Sequence, residues 1–143
     1  MTNTLRNLIS VVLVGMTSLG SLYSDAIEGE YLVKGYDPYE KAAYAGEATI
    51  KLDKNNVYQL KELTNGLTYI GTGLVCCPGT LVFVVRGPHI VKEDKVDLSL
   101  VTYKMQGDQL NGTWVLVKNS LIGTEELVRK PVSNSKASSK NND

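Results

Sequence analysis

The chain is poor in groups that do chemistry. It holds one histidine, His89, and two cysteines, Cys76 and Cys77, which are adjacent. Adjacent cysteines are not the Cys-x-x-Cys spacing of a structural zinc site, so no metal is expected. Nor do they form the disulfide framework of a small secreted domain. Neighbouring strand residues point to opposite faces, which denies these two the usual disulfide geometry. The expectation is therefore no disulfide, with one thiol inward and one outward. Lys+Arg number 15 and Asp+Glu number 15, for a net charge of zero. Without a basic surplus the chain is not expected to bind nucleic acid. Gly71 and Gly73 lie in a strand pattern, without the strand–turn–helix context of a phosphate loop. No cofactor is implied.

Proline, at 4, and phenylalanine, at 1, are also scarce, whereas tyrosine reaches 8 and glycine 13. That balance suits short strands joined by tight turns. No apolar run is as long as a membrane-spanning helix. The longest, over 8–14, follows Arg6 and precedes small residues at Ser18, Gly20, Ser24 and Ala26. This order reads as a signal peptide over 1–26, cut between Gly20 and Ala26. A buried N-terminal helix or strand is the alternative. Export places the protein in the periplasm, outside the cell or on its surface. No cysteine near the cleavage region offers a lipid anchor. At the other end, 131–143 is Ser, Asn and Lys with almost nothing to bury, a disordered polar tail.

Between these segments, 27–130 forms one domain with a hydrophobic period of two. Tyr31 and Val33 share a face, opposite Glu30 and Lys34. Ala48, Ile50 and Leu52 alternate with Glu47, Thr49 and Lys51. Tyr58 and Leu60 alternate with Gln59 and Lys61, and Leu110, Gly112, Trp114 and Leu116 with Asn111 and Thr113. Such alternation marks strands with one wet face. Strands are predicted at 29–35, 44–52, 57–63, 67–76, 80–86, 96–105, 110–117 and 123–130. Asn65-Gly66 is a type I′ hairpin signal, and Pro78-Gly79 suits a type II turn.

Short connections make sequential strands antiparallel neighbours. A long one-sided sheet with no helix to cover it must close on itself. The expected fold is all-β: a single up-and-down meander of about eight strands in a closed or partly open barrel, with a two-sheet sandwich as the competitor. Two strands break the alternation. Leu98 and Leu100 share a face that excludes Val101 and Tyr103, which a bulge near Leu100 would reconcile. Leu81, Phe83 and Val85 point inward only if Val82 and Val84 point outward, where they become interface candidates or cover for a chain terminus.

Few constellations carry function. Cys77 with His89 would be a nucleophilic pair if a hairpin brought them together, but no third group orients them; no catalytic residue is assigned. If Leu127 faces the core, Glu125 and Arg129 face inward near the two barrel ends. Tyr36, Tyr39 and Tyr44 crowd one segment, where they either plug a barrel end or offer flat, hydroxyl-tipped contacts. Gly71 and Gly73 would permit sharp curvature or close packing against Trp114. The ligand-binding candidates are Tyr31, Tyr58, Phe83, Trp114 and Arg129. The surface-interaction candidates are Tyr36, Tyr39, Val82 and Val84.

A set of glycine and aromatic spacings runs through the chain: Gly29-Glu30-Tyr31, Gly35, Tyr44-Ala45-Gly46, Val57-Tyr58, Tyr69-Ile70-Gly71-Thr72-Gly73, Leu110-Asn111-Gly112-Thr113-Trp114 and Gly123-Thr124-Glu125. In these the chain resembles a group of uncharacterised, mostly bacterial exported proteins that look like small lipocalin- or avidin-like barrels. That resemblance implies a fold and no particular activity. In lipocalins a first-strand Gly-x-Trp and a last-strand Arg pack together at the closed end; Gly29-Glu30-Tyr31 and Arg129 stand in similar places.

The functional expectation is a non-enzymatic binding or structural module of the periplasm or cell surface. The alternatives are a carrier of a small apolar or aromatic ligand in the barrel interior, and a hydrolase using His89 with Cys77. The partner would be a small molecule or an envelope protein, with no transmembrane span in the mature chain. A homodimer through an outward thiol is a further expectation.

Overall fold

The computed structural model describes residues 27–88, 96–118 and 120–131. The expected signal peptide, His89 and nearly all of the polar tail lie outside the described residues.

Among the described residues eight strands follow one another, with no helix between them: β1 (Gly29–Asp37), β2 (Ala42–Leu52), β3 (Tyr58–Thr64), β4 (Leu67–Cys77), β5 (Thr80–Pro88), β6 (Val96–Gln106), β7 (Gln109–Leu116) and β8 (Ile122–Arg129). Each pairs antiparallel with the next, and β8 pairs with β1, from Tyr31 opposite Arg129 to Tyr36 opposite Thr124. The sheet is thus a closed barrel with no free edge, and the sandwich is ruled out. The hairpin signals act as expected. Asn65 and Gly66 have φ of 50° and 76°, and Gly79 has φ of 71°, values that glycine and asparagine tolerate best.

Alternation decides which residues fill the interior. Tyr31, Val33, Ile50, Leu60, Leu81, Phe83, Tyr103, Leu110 and Leu127 are buried, with Ile27 packed beneath them from just before β1. Val84 faces out and is exposed, and Val82 is half-buried on the same outer face.

Three expectations need correction. No bulge occurs at Leu100. The register of β6 against both neighbours is continuous, and Leu98 and Leu100 simply face outward, exposed, while Val101 and Tyr103 face in. The irregularity lies instead between Val75 and Cys77 in β4. That shift removes the strict alternation on which opposed thiols depended. Cys76 and Cys77 are both exposed and free, with their sulfurs 3.4 Å apart. Gly71 and Gly73 also do not pack on Trp114; they lie against Leu60, Val85 and Phe83.

Candidate ligand-binding cavity

Polarity divides the two barrel ends. The end that carries the β2–β3, β4–β5 and β6–β7 turns is closed. There Ile27 inserts, and the Tyr31 hydroxyl donates to its carbonyl at 2.5 Å. Arg129 caps the same place: its guanidinium lies 5.1 Å from the Tyr31 ring centroid, and Nη2 donates to the Tyr31 hydroxyl at 2.9 Å. Its Nη1 donates to the Glu28 carbonyl. The guanidinium occupies the space where a Cβ on Gly29 would sit. The expected grouping of Gly29, Tyr31 and Arg129 is therefore present at this closed end.

At the opposite end the core gives way to a cavity of about 290 Å³, near the small end of the usual range for ligand pockets, roughly 300–1,000 Å³. Its walls come from the end of β1, the start of β2, the β3–β4 turn and the facing ends of β4 to β8. Tyr39, Tyr44, Tyr69 and Trp114 line it, together with Val85, Val101 and Leu116. Two of these aromatics are seated by glycines across the strand pair. Gly35 is opposite Tyr44 and Gly123 is opposite Trp114. In each case a Cβ on the glycine would collide with the ring, so the ring lies flat over bare backbone. Tyr39 stacks on Trp114, with centroids 6.3 Å apart.

The cavity also holds two buried carboxyls, Glu62 of β3 and Glu125 of β8. Glu125 sits in a hydrogen-bonded chain. Trp114 Nε1 donates to the Tyr44 hydroxyl at 3.0 Å, and Tyr44 donates to Glu125 Oε2 at 3.0 Å. Tyr103 donates to Oε1. Glu62 has the Thr64 hydroxyl as its hydrogen-bond partner. Burial raises both acids above the ordinary carboxylate range, because it penalises charge. Glu62 is pushed up to about 9, first by burial and then by the Glu125 charge. For Glu125 two phenols offset part of the burial effect. The Tyr44 and Tyr103 phenols are both raised by burial and by the neighbouring carboxylates, so each remains a donor.

Of the ligand-binding candidates, only Trp114 lines this cavity. Tyr31, Tyr58 and Phe83 are packed in the closed half, and Arg129 caps the far end. Trp114 itself is half-buried, so it is a wall residue packed against the core rather than a central core residue. Among the surface candidates Tyr36 is exposed, whereas Tyr39 turns into the cavity mouth. Glu125 faces inward as expected. Glu62 was missed, although the inward series Tyr58, Leu60, Glu62, Thr64 carries it at the same period of two. Cys77 pairs with Thr80 at the closed end, while Pro88, the chain neighbour of His89, ends β5 at the open end. At about 3.3 Å per residue Cys77 and Pro88 are roughly 26 Å apart along the barrel; the pairing of Cys77 with His89 falls on a residue outside the described ones.

Among the described residues no group of three His, Cys, Asp or Glu side chains is placed to hold a metal ion. No helix among them is long and apolar enough to cross a membrane. No family model matches the chain, and no curated protein matches it. Among solved structures, a de novo designed fluorescence-activating β-barrel is similar, with a TM-score of 0.55 and 10% identity over 75% of this chain and 96% of that one. At that identity the likeness is one of fold alone: a closed antiparallel eight-stranded barrel, like lipocalin and avidin barrels in shape only.

Proposed function

We propose that the protein is a non-enzymatic carrier that takes a small, at least partly aromatic molecule into the open end of its barrel. The cavity lined by Trp114, Tyr39, Tyr44 and Tyr69 carries this reading. An orphaned group supports it: the Tyr39 hydroxyl is buried and has no hydrogen-bond partner among the described residues, although buried polar atoms normally find one. A bound molecule would supply that partner. The hydrophobic run over 8–14 and the small residues after it suggest that the carrier works in the periplasm or at the cell surface, as do the exported barrels it resembles. The designed barrel that shares this fold is described as fluorescence-activating.

Trp114 is the sole tryptophan, so intrinsic fluorescence reports on the cavity directly. Protein isolated from its own cell should retain a small molecule in native mass spectrometry, and its removal should shift Trp114 emission. Ser99→Phe, which fills a lining position, should abolish retention while circular dichroism stays unchanged. Equal retention by Ser99→Phe would show that the cavity is not the site.

A further inference from the structure

We propose that the ligand of this cavity is a cation: an arylalkyl or alkylated amine whose ring lies among Trp114, Tyr39 and Tyr69 and whose ammonium is directed at Glu62 and Glu125. The inference rests on the carrier reading and adds the ligand's charge and chemical class.

The cavity lining contains five carboxyls and, among the described residues, no Lys, Arg or His. One of the five, Asp97, is matched at the rim by Lys118, with Nζ 2.6 Å from its Oδ1. Glu62 and Glu125 lie deeper, and no described basic side chain pairs with either. Chains do not bury two acids side by side for stability, because an uncompensated charge in a low-dielectric site is costly. The hydrogen-bond chain from Trp114 through Tyr44 to Glu125 holds that carboxylate in place as a fixed acceptor. The negative faces of the surrounding rings favour a cation over a neutral molecule of the same shape. The same field repels an anion. The unpartnered Tyr39 hydroxyl offers one further polar contact at the mouth.

Three probes of nearly equal shape separate charge from shape. 2-Phenylethylamine is cationic, 2-phenylethanol neutral and 3-phenylpropanoate anionic. Each is titrated at pH 7 into the full chain, read by Trp114 emission and by calorimetry. The amine should bind at least tenfold more tightly than the alcohol, and the acid should give no saturable signal. Glu125→Gln should reduce the preference for amine over alcohol at least fivefold. The ranking on the unmodified protein decides the matter even if that variant does not fold. An alcohol or acid that binds as tightly as the amine would overturn the charge inference and leave the carrier reading standing. Failure of all three to bind would overturn the inference, and retention of a native molecule would then judge the carrier reading separately.

Discussion

The closed and open halves of this barrel use the same strands for opposite ends. In the closed half the interior is filled by Phe83, Leu60, Leu81, Leu127 and Ile50, and the polar groups there have partners: the Tyr31 hydroxyl bonds to Ile27 and Arg129, and Arg129 to Glu28. In the open half a cavity of about 290 Å³ remains, two carboxyls are buried, and the Tyr39 hydroxyl has no partner among the described residues. The contrast teaches where stability resides. One half holds the barrel shut, and that allows the other to keep an unfavourable, hollow and acidic interior.

The largest test of that contrast is truncation. Phe83→Ala in the closed half should cost about 3–5 kcal/mol, because a fully buried ring leaves a cavity behind. Trp114→Ala in the open half should cost only about 1–2 kcal/mol, since its ring already borders empty space. Urea unfolding of both variants measures the difference, and equal losses would erase the distinction between halves.

An effect spread over pH, small within any one unit, concerns Glu62. Its folded value of about 9 lies above the ordinary 4.5, so between these pH values the folded state binds a proton that the unfolded state has released. Stability therefore falls as pH rises through that window, with a slope of up to about 1.4 kcal/mol per unit. Below the window both states are protonated and the contribution is flat. Glu62→Gln should flatten the slope and raise the melting temperature at pH 8. An unchanged pH profile would place the proton elsewhere, on Glu125 first of all.

The smallest expected effect is the most specific. Tyr39→Phe removes a hydroxyl that bonds to nothing among the described residues, so its stability should change by less than about 0.5 kcal/mol. Its effect should appear in retention of the native molecule. A loss of more than 1 kcal/mol in the ligand-free chain would reveal a partner within the fold and remove one support for the carrier reading.

The period of two was enough to place all eight strands and to choose the inner face of most, because one wet face imposes alternation on any barrel strand. Tyr31, Ile50 and Leu60 were legible as interior for that reason, whereas Phe83, Leu127 and Glu125 were placed inward only on condition that their strands faced that way. Closure followed from having a long one-sided sheet and no helix to cover it. The site was not legible to the same degree. Whether an inward residue meets packed neighbours or empty space depends on its height along the barrel axis and on which strands stand across from it, and alternation carries neither. Tyr58 and Trp114 look alike in sequence, yet one is walled in and the other lines a cavity. Glu62 and Glu125 are 63 residues apart in the chain, and only barrel closure brings their charges within reach of each other. The glycines that seat Tyr44 and Trp114 act across strand pairs, and the shift between Val75 and Cys77 that defeats simple alternation depends on how β4 meets β5. What the sequence determined by itself was the strand pattern and the choice of inside and outside, both set by local backbone geometry. Only the tertiary structure decided which end is hollow, because a void is a property of many side chains at once and of none alone.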